Sequence, residues 1–131
     1  MKPIRVVFLG MYFEAWDALD EVYQLMLADD RFDPVVISLP RKLTGQLRYA
    51  DEEKAHAFFE SKGIKHLRFN MGGSDSSNQE VLDALKDLKP DYVFANYPWQ
   101  RNYQPAIRFD KLISFTRLAY VPYFSLAMVE E

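Results

Sequence analysis

Short apolar runs recur along this chain with amphipathic stretches between them, and that alternation leaves few folds open. The first run, Ile4 to Leu9, is interrupted only by Arg5 and closed by Gly10. Continuous runs of this kind mark strands covered on both faces. Trp16, Leu19, Val22, Tyr23, Met26 and Leu27 then recur at helical intervals, and Asp29, Asp30 and the Phe32-Asp33-Pro34 segment end that helix. Pro34 to Leu39 reads as a second strand stopped by Pro40, whereas Arg41 to Ala50 fits neither period and reads as a long loop. Asp51, Glu52 and Glu53 open a second helix with negative charge in its first turn, where the helix dipole favours it. That helix buries Ala55, Phe58 and Phe59 and stops at Gly63, a glycine placed for a left-handed C-cap.

His66 to Phe69 is a short third strand. A polar tract runs from Asn70 to Ser77, and Ser77 with Glu80 has the capping-box spacing that starts a helix. Val81, Leu82, Leu85 and Leu88 form the apolar stripe of this helix, and Pro90 stops it. Tyr92 to Asn96 is the fourth strand, Phe109 to Phe115 a short helix, and Leu118 to Val121 roughly the fifth strand. Strands joined through helices pair in parallel by right-handed crossovers. The sequence therefore predicts a three-layer, Rossmann-like α/β sandwich whose five-stranded parallel sheet has the order 3-2-1-4-5. A chain of 131 residues builds one such core and is too short for a second, so 1-131 is expected to be a single domain. The apolar, acid-tipped segment Ser125 to Glu131 reads as the start of another helix, which predicts a longer parent protein.

Composition and motifs narrow function mainly by exclusion. A net charge of -3, with 27% of residues charged, provides no bulk basic field for nucleic acid. The chain has no cysteine, which removes disulfides, thiolate metal sites and cysteine nucleophiles together. The opening segment has a charge inside a short apolar run and no cleavage site, as a first strand does and a secretion signal does not. No apolar run approaches the roughly 18 residues of a membrane span, so any membrane contact is expected to be peripheral.

A dinucleotide site needs spaced glycines after the first strand, so that backbone can approach the pyrophosphate. Here Gly10 stands alone, Met11, Tyr12 and Phe13 obstruct the approach, and Glu14 puts negative charge where phosphate would sit. No Gly-Lys-Ser/Thr phosphate loop occurs. The third strand ends Arg68-Phe69-Asn70 and so lacks the acceptor aspartate of a receiver domain. No cofactor is expected. His56 and His66 have no cysteine partner and no His-Glu-x-x-His spacing, which predicts a solvated helix face for His56, a strand edge for His66, and no metal. Ser74, Ser76 and Ser77 lack the surroundings of a nucleophile elbow, and Glu14, Asp17 and Asp20 read as a solvated helix face.

What remains is the rim beyond the carboxyl ends of the strands, where open parallel sheets bind ligands. Arg41, Lys42 and Arg48 follow the second strand. Asn96, Tyr97, Trp99, Gln100, Arg101, Asn102 and Tyr103 follow the fourth, Tyr123 follows the fifth, and Tyr12 follows the first. Aromatic rings stack on sugars and bases, and arginines bind phosphate through two parallel N–H bonds. Tyr12, Arg41, Lys42, Asn96, Tyr97, Trp99, Gln100, Arg101 and Tyr123 are thus the candidate ligand contacts, for a phosphorylated or glycosylated molecule. The same residue types also anchor protein interfaces, and the sequence leaves both readings open.

The chain resembles the N-terminal domain of the CDP-glycerol glycerophosphotransferase-like proteins, bacterial enzymes that build teichoic-acid-type and capsular polymers. The resemblance runs through Leu25 to Ile37, Phe58 to Gly63, Lys89-Pro-Asp-Tyr-Val-Phe94 with Tyr97-Pro98, and Phe115-Thr-Arg-Leu-Ala-Tyr-Val-Pro-Tyr123. It implies a two-domain transferase of the GT-B type, in which this domain faces the acceptor and a C-terminal domain holds the nucleotide donor. The family's catalytic histidines lie further along the chain than Glu131, and neither His56 nor His66 matches their motif. No catalytic residue is therefore assigned here. The resemblance implies a cytoplasmic location at the inner face of the membrane, a phosphorylated or glycosylated acceptor, and the donor domain of the same protein as partner. The alternative is a stand-alone binding or interaction module without catalysis.

Overall fold

A computed structural model describes residues 2–71 and 78–122. Its elements are β1 (Ile4–Gly10), α1 (Asp17–Leu27), β2 (Phe32–Ser38), α2 (Glu52–Ser61), β3 (His66–Arg68), α3 (Asn78–Asp87), β4 (Tyr92–Ala95), α4 (Phe109–Leu112) and β5 (Arg117–Tyr120). All neighbouring strands pair in parallel, in the order β3-β2-β1-β4-β5. The architecture is the three-layer α/β sandwich that the periodicity predicts. Ser77 and the segment Ser125 to Glu131 lie outside the described residues.

The sheet is hydrophobic on both faces because successive side chains of a strand point opposite ways. Val6 and Phe8 of β1 face α1 and α2, packing with Trp16, Leu19, Tyr23, Ala55 and Phe59. Val7 and Leu9 face the other layer, with Val81 and Leu85 of α3 and with Ile107 and Leu112. Each large side chain so buried contributes about 1.5–3 kcal/mol, which makes these two layers the main stabilising term. Gly10 closes β1 for a packing reason. A Cβ there would stand 2.5 Å from both the Ile37 carbonyl oxygen and the Phe59 ring.

Three details depart from expectation. First, β2 begins at Phe32, so Pro34 lies inside the strand. The Ile4 N–H bonds the Arg31 carbonyl at 2.8 Å, and Ile4 is in register with Phe32. Residues 31, 33, 35 and 37 therefore turn their backbone polar groups to β1, and the missing N–H of Pro34 falls on the β3 side. Pairing with β3 starts only at Val36, so no ladder bond is lost. Second, α4 is one turn long, shorter than the Phe109 to Phe115 span expected of it. Ser114 Oγ donates to the Lys111 carbonyl at 2.6 Å, one of the local bonds with which serine competes against helix. Third, the loop from Arg41 to Ala50 is pinched at its base, where these two residues exchange backbone hydrogen bonds of 2.8 Å in each direction. Gly63, at φ +69°, takes the left-handed conformation expected after α2.

Candidate functional site

The loops after β1, β2 and β4 meet at the carboxyl edge of the sheet, and buried amides hold them together. Asn96 directly follows β4, is 2% exposed, and donates from Nδ2 to the Tyr12 carbonyl at 3.3 Å and the Ala15 carbonyl at 3.0 Å. It thereby fixes the turn between β1 and α1. Gln100 accepts from the Phe109 N–H at 2.7 Å and donates to the Pro98 carbonyl at 2.9 Å, stapling the loop after β4 to the start of α4. Asn102 is buried too. Its Nδ2 donates to the Lys42 carbonyl, and its own carbonyl accepts from the Lys42 N–H at 3.0 Å, which ties the β2 and β4 loops. Two predicted ligand contacts, Asn96 and Gln100, thus work inside the protein. Asn96, being buried, must find internal partners, and half-buried Gln100 has found them too.

Arg41 is the largest correction. It was expected to reach for a ligand from the rim, yet its side chain is only 4% exposed. Nη1 and Nη2 form a bidentate pair with the Glu14 carboxylate at 2.6 Å each, Nη1 also donates to the Met11 carbonyl at 3.2 Å, and Nε reaches Asp51 Oδ2 at 3.3 Å. Its guanidinium lies 4.7 Å from the centre of the Phe13 ring. Four of the five guanidinium N–H groups are engaged, so no two-pronged fork is left for phosphate. Burial pushes the Glu14 carboxyl up, but the hydrogen bonds from Arg41 outweigh it and hold the group below its ordinary value. Asp51 is lowered in the same way, burial being outweighed by Gln46 and Arg41. Glu14, expected on a solvated face, is therefore one half of an ion pair.

The remaining rim residues form an aromatic row. The Tyr12 and Tyr97 ring centres are 4.6 Å apart and those of Tyr97 and Trp99 5.4 Å apart. Tyr97 donates its hydroxyl to Asn102 Oδ1 at 3.1 Å, and its carbonyl accepts from the Tyr103 hydroxyl at 2.6 Å. Burial grades outward along the row: Tyr12 and Tyr97 are half-buried, and Trp99 is 45% exposed. Tyr103 lies beneath them in the core, where burial raises its pKa, and it is packing rather than surface. Arg101 is exposed and makes no ion pair or hydrogen bond through its side chain among the described residues. Lys42 is half-buried, its Nζ 5.0 Å from the centre of the Tyr49 ring. Tyr123 lies outside the described residues.

Sequence reasoning missed a second polar network, on the α2 side. Glu52 was read as a first-turn acid serving the helix dipole. It is instead 4% exposed and accepts from Ser38 Oγ at 2.6 Å and from Arg68 at 2.7 and 3.0 Å. Burial raises its pKa, and the bonds from Arg68 and Ser38 bring it below the ordinary value. One turn along the same helix is His56, which was expected on a solvated face. It is half-buried, and its Nδ1 stands 2.8 Å from Nε2 of His66. The signal was present in the sequence: Glu52, His56 and Glu60 share one helix face at four-residue spacing, and the Gly63 turn returns the chain alongside that face.

At the opposite edge of the sheet lies an open concavity of about 790 Å3, lined in part by Arg5, Asp33, Asp91 and Tyr92. Within it Arg5 donates to Asp33 at 2.8 Å, and Asp91 accepts from the Arg5 backbone N–H at 2.8 Å. The carboxyl edge combines a stacking surface with a guanidinium that has no partner among the described residues. No helix among the described residues is long and apolar enough to cross a membrane. No protein-family model matches the chain, and no curated protein matches it.

Proposed function

We propose that this chain is the acceptor-side half of a transferase that moves glycerol phosphate, or a related unit, from a CDP-activated donor to a cell-surface polymer. The observation that supports this reading is the aromatic row Tyr12, Tyr97, Trp99 with Arg101 beside it, at the edge of a parallel sheet where ligands bind. The graded exposure of the row suits a polyol or sugar chain lying across Trp99, with Arg101 holding a phosphate of that chain. Lys42 adds positive charge on the neighbouring loop. A second domain holds the nucleotide, the reaction takes place in the cleft between the two, and the protein works in the cytoplasm at the inner face of the membrane.

Among the described residues the rim has no nucleophile held beside a base, so activation of the acceptor hydroxyl falls to the second domain. Residues 1 to 131 alone are expected to bind acceptor weakly and to turn nothing over. Titration with a phosphorylated polyol such as glycerol phosphate tests this. A charge-assisted contact contributes about 1.5–3 kcal/mol, so Arg101→Ala should weaken binding about tenfold or more.

One observation favours a second reading, in which the rim is a protein interface of an interaction module or of a domain pair. Leu47 is 96% exposed, an apolar side chain standing in solvent on the loop after β2, which Lys42 and Asn102 tie to the loop that carries Trp99 and Arg101. Equal affinities for the polyol in wild type and Arg101→Ala would reject the ligand role and leave the interface.

A further inference from the structure

We infer that His56, Glu60 and His66 form a binding site for a divalent cation of the zinc class, clamping α2 to the edge strand β3. One donor atom from each of the three lies within 4.8 Å of one from each of the others. His56 and Glu60 are four residues apart on α2 and so project from one helix face, and His66 opens the strand that runs beside it. Imidazole nitrogens and a carboxylate oxygen are the ligand set that zinc takes, and three protein ligands leave a further position for water.

The hydrogen bonds around His66 prepare it for this role. Its Nδ1 lies 2.8 Å from the Ile64 carbonyl oxygen, which can only accept, so Nδ1 carries the proton. In the neutral ring Nε2 then carries the lone pair, and Nε2 is the atom facing His56 at 2.8 Å. A backbone carbonyl that fixes the tautomer and ring plane of a histidine is the usual outer partner of a metal ligand. His56 now donates from Nδ1 to that lone pair. On metal entry it moves this proton to its own Nε2, so both rings present a lone pair and no net proton is lost. Two nitrogens bound to one tetrahedral zinc at 2.0–2.1 Å stand about 3.4 Å apart, so the rings need to part by roughly half an ångström.

Glu60 supplies the contrast that singles out the site. Glu52, on the same helix face, has its oxygens taken up by Ser38 and Arg68. The Glu60 carboxylate is exposed and has no hydrogen-bond or ion-pair partner among the described residues, and is free to ligate. A hydrogen-bonded histidine pair with no metal is the competing account of the same geometry.

The test uses the untagged chain, titrated with zinc chloride by calorimetry and with cobalt(II) by visible absorption. One ion per chain is expected, with the intense absorption of low-coordinate cobalt, reversed by zinc. Losing a ligand should weaken binding by at least the 10–100-fold seen for outer partners, so His56→Gln and His66→Gln should each lose about a hundredfold and Glu60→Gln about tenfold. Zinc should also raise the melting temperature of the wild type and leave that of His66→Gln unchanged. Absence of saturable binding in the wild type, or wild-type affinity in either histidine variant, overturns the site and leaves the bare histidine pair. Should a histidine variant fail to fold, Glu60→Gln decides, because its side chain is exposed; wild-type affinity there overturns the three-ligand site.

Discussion

Arg41 and Arg101 stand on neighbouring loops at the same edge of the same sheet, and their fates are opposite. Arg41, after β2, is buried and held by Glu14 and Asp51. Arg101, after β4, is exposed with its guanidinium unengaged among the described residues. Both are arginines on loops that follow a strand's carboxyl end, so residue type and sheet edge do not decide the role. What decides it is the supply of acceptors: Glu14 and the Met11 carbonyl come in from the β1 turn and Asp51 from the base of α2, whereas among the described residues no acceptor reaches the Arg101 guanidinium. The first loop is braced through its arginine; the second presents the exposed arginine on which the proposed binding role rests.

The contrast breaks most visibly at Arg41. Arg41→Met should destabilise the fold by about 2–4 kcal/mol, somewhat less than the 3–5 kcal/mol of a fully buried pair because Glu14 is partly exposed. Urea unfolding at the wild-type midpoint would show that the pair is not a strut. Beneath the same loop, Gly10→Ala should lose about 1–3 kcal/mol, because the Ile37 carbonyl cannot move aside as a flexible side chain could; calorimetric melting measures it.

Acid sharpens the comparison further. Glu14 and Asp51 have folded pKa values below their ordinary 4.5 and 3.8, so the unfolded chain binds these protons more readily than the native one. The resulting stabilisation is fully present above the ordinary values and is lost as pH falls through the lowered ones. In Arg41→Met the loss of stability between about pH 5 and 2 should be shallower than in the wild type. A slope equal to the wild type's would mean that other carboxylates control acid unfolding. The smallest effect belongs to the other loop: Arg101→Ala and Trp99→Ala should each leave stability within about 0.5 kcal/mol, and a larger loss for either would place it in the framework rather than on the binding surface.

Much of the fold was legible because hydrophobic period is a local property. The runs at Ile4 to Leu9 and Tyr92 to Asn96 and the stripe Val81, Leu82, Leu85, Leu88 each announce their element without outside information. Strand order followed from crossover handedness. The start of β2 was misplaced because proline reads as a strand boundary, and only the register with β1 and the late start of β3 reveal that its missing N–H is harmless. The rim was legible as a location and not as a set of roles. Glu14 lies 27 residues before Arg41 and Asp51 lies 10 after it, and no pattern in the sequence couples them. Asn96 and Gln100 looked like ligand contacts because amides serve backbone and ligands with the same atoms. Trp99 is exposed at the outer end of the row, whereas Tyr97 is half-buried with its hydroxyl turned inward to Asn102, a difference that residue type does not announce.

Pro34 has a consequence for the molecule's behaviour among its own copies. The β3 strand covers only the end of β2 from Val36 onward, so the first half of β2 is, in effect, a sheet edge. An edge strand invites backbone pairing from another chain, and native proteins block such pairing with very short strands and with proline. Here the ring of Pro34 sits on the uncovered side at the point where an incoming strand would need an N–H to bond. The interruption that made the strand hard to read also guards that flank of the sheet against aggregation.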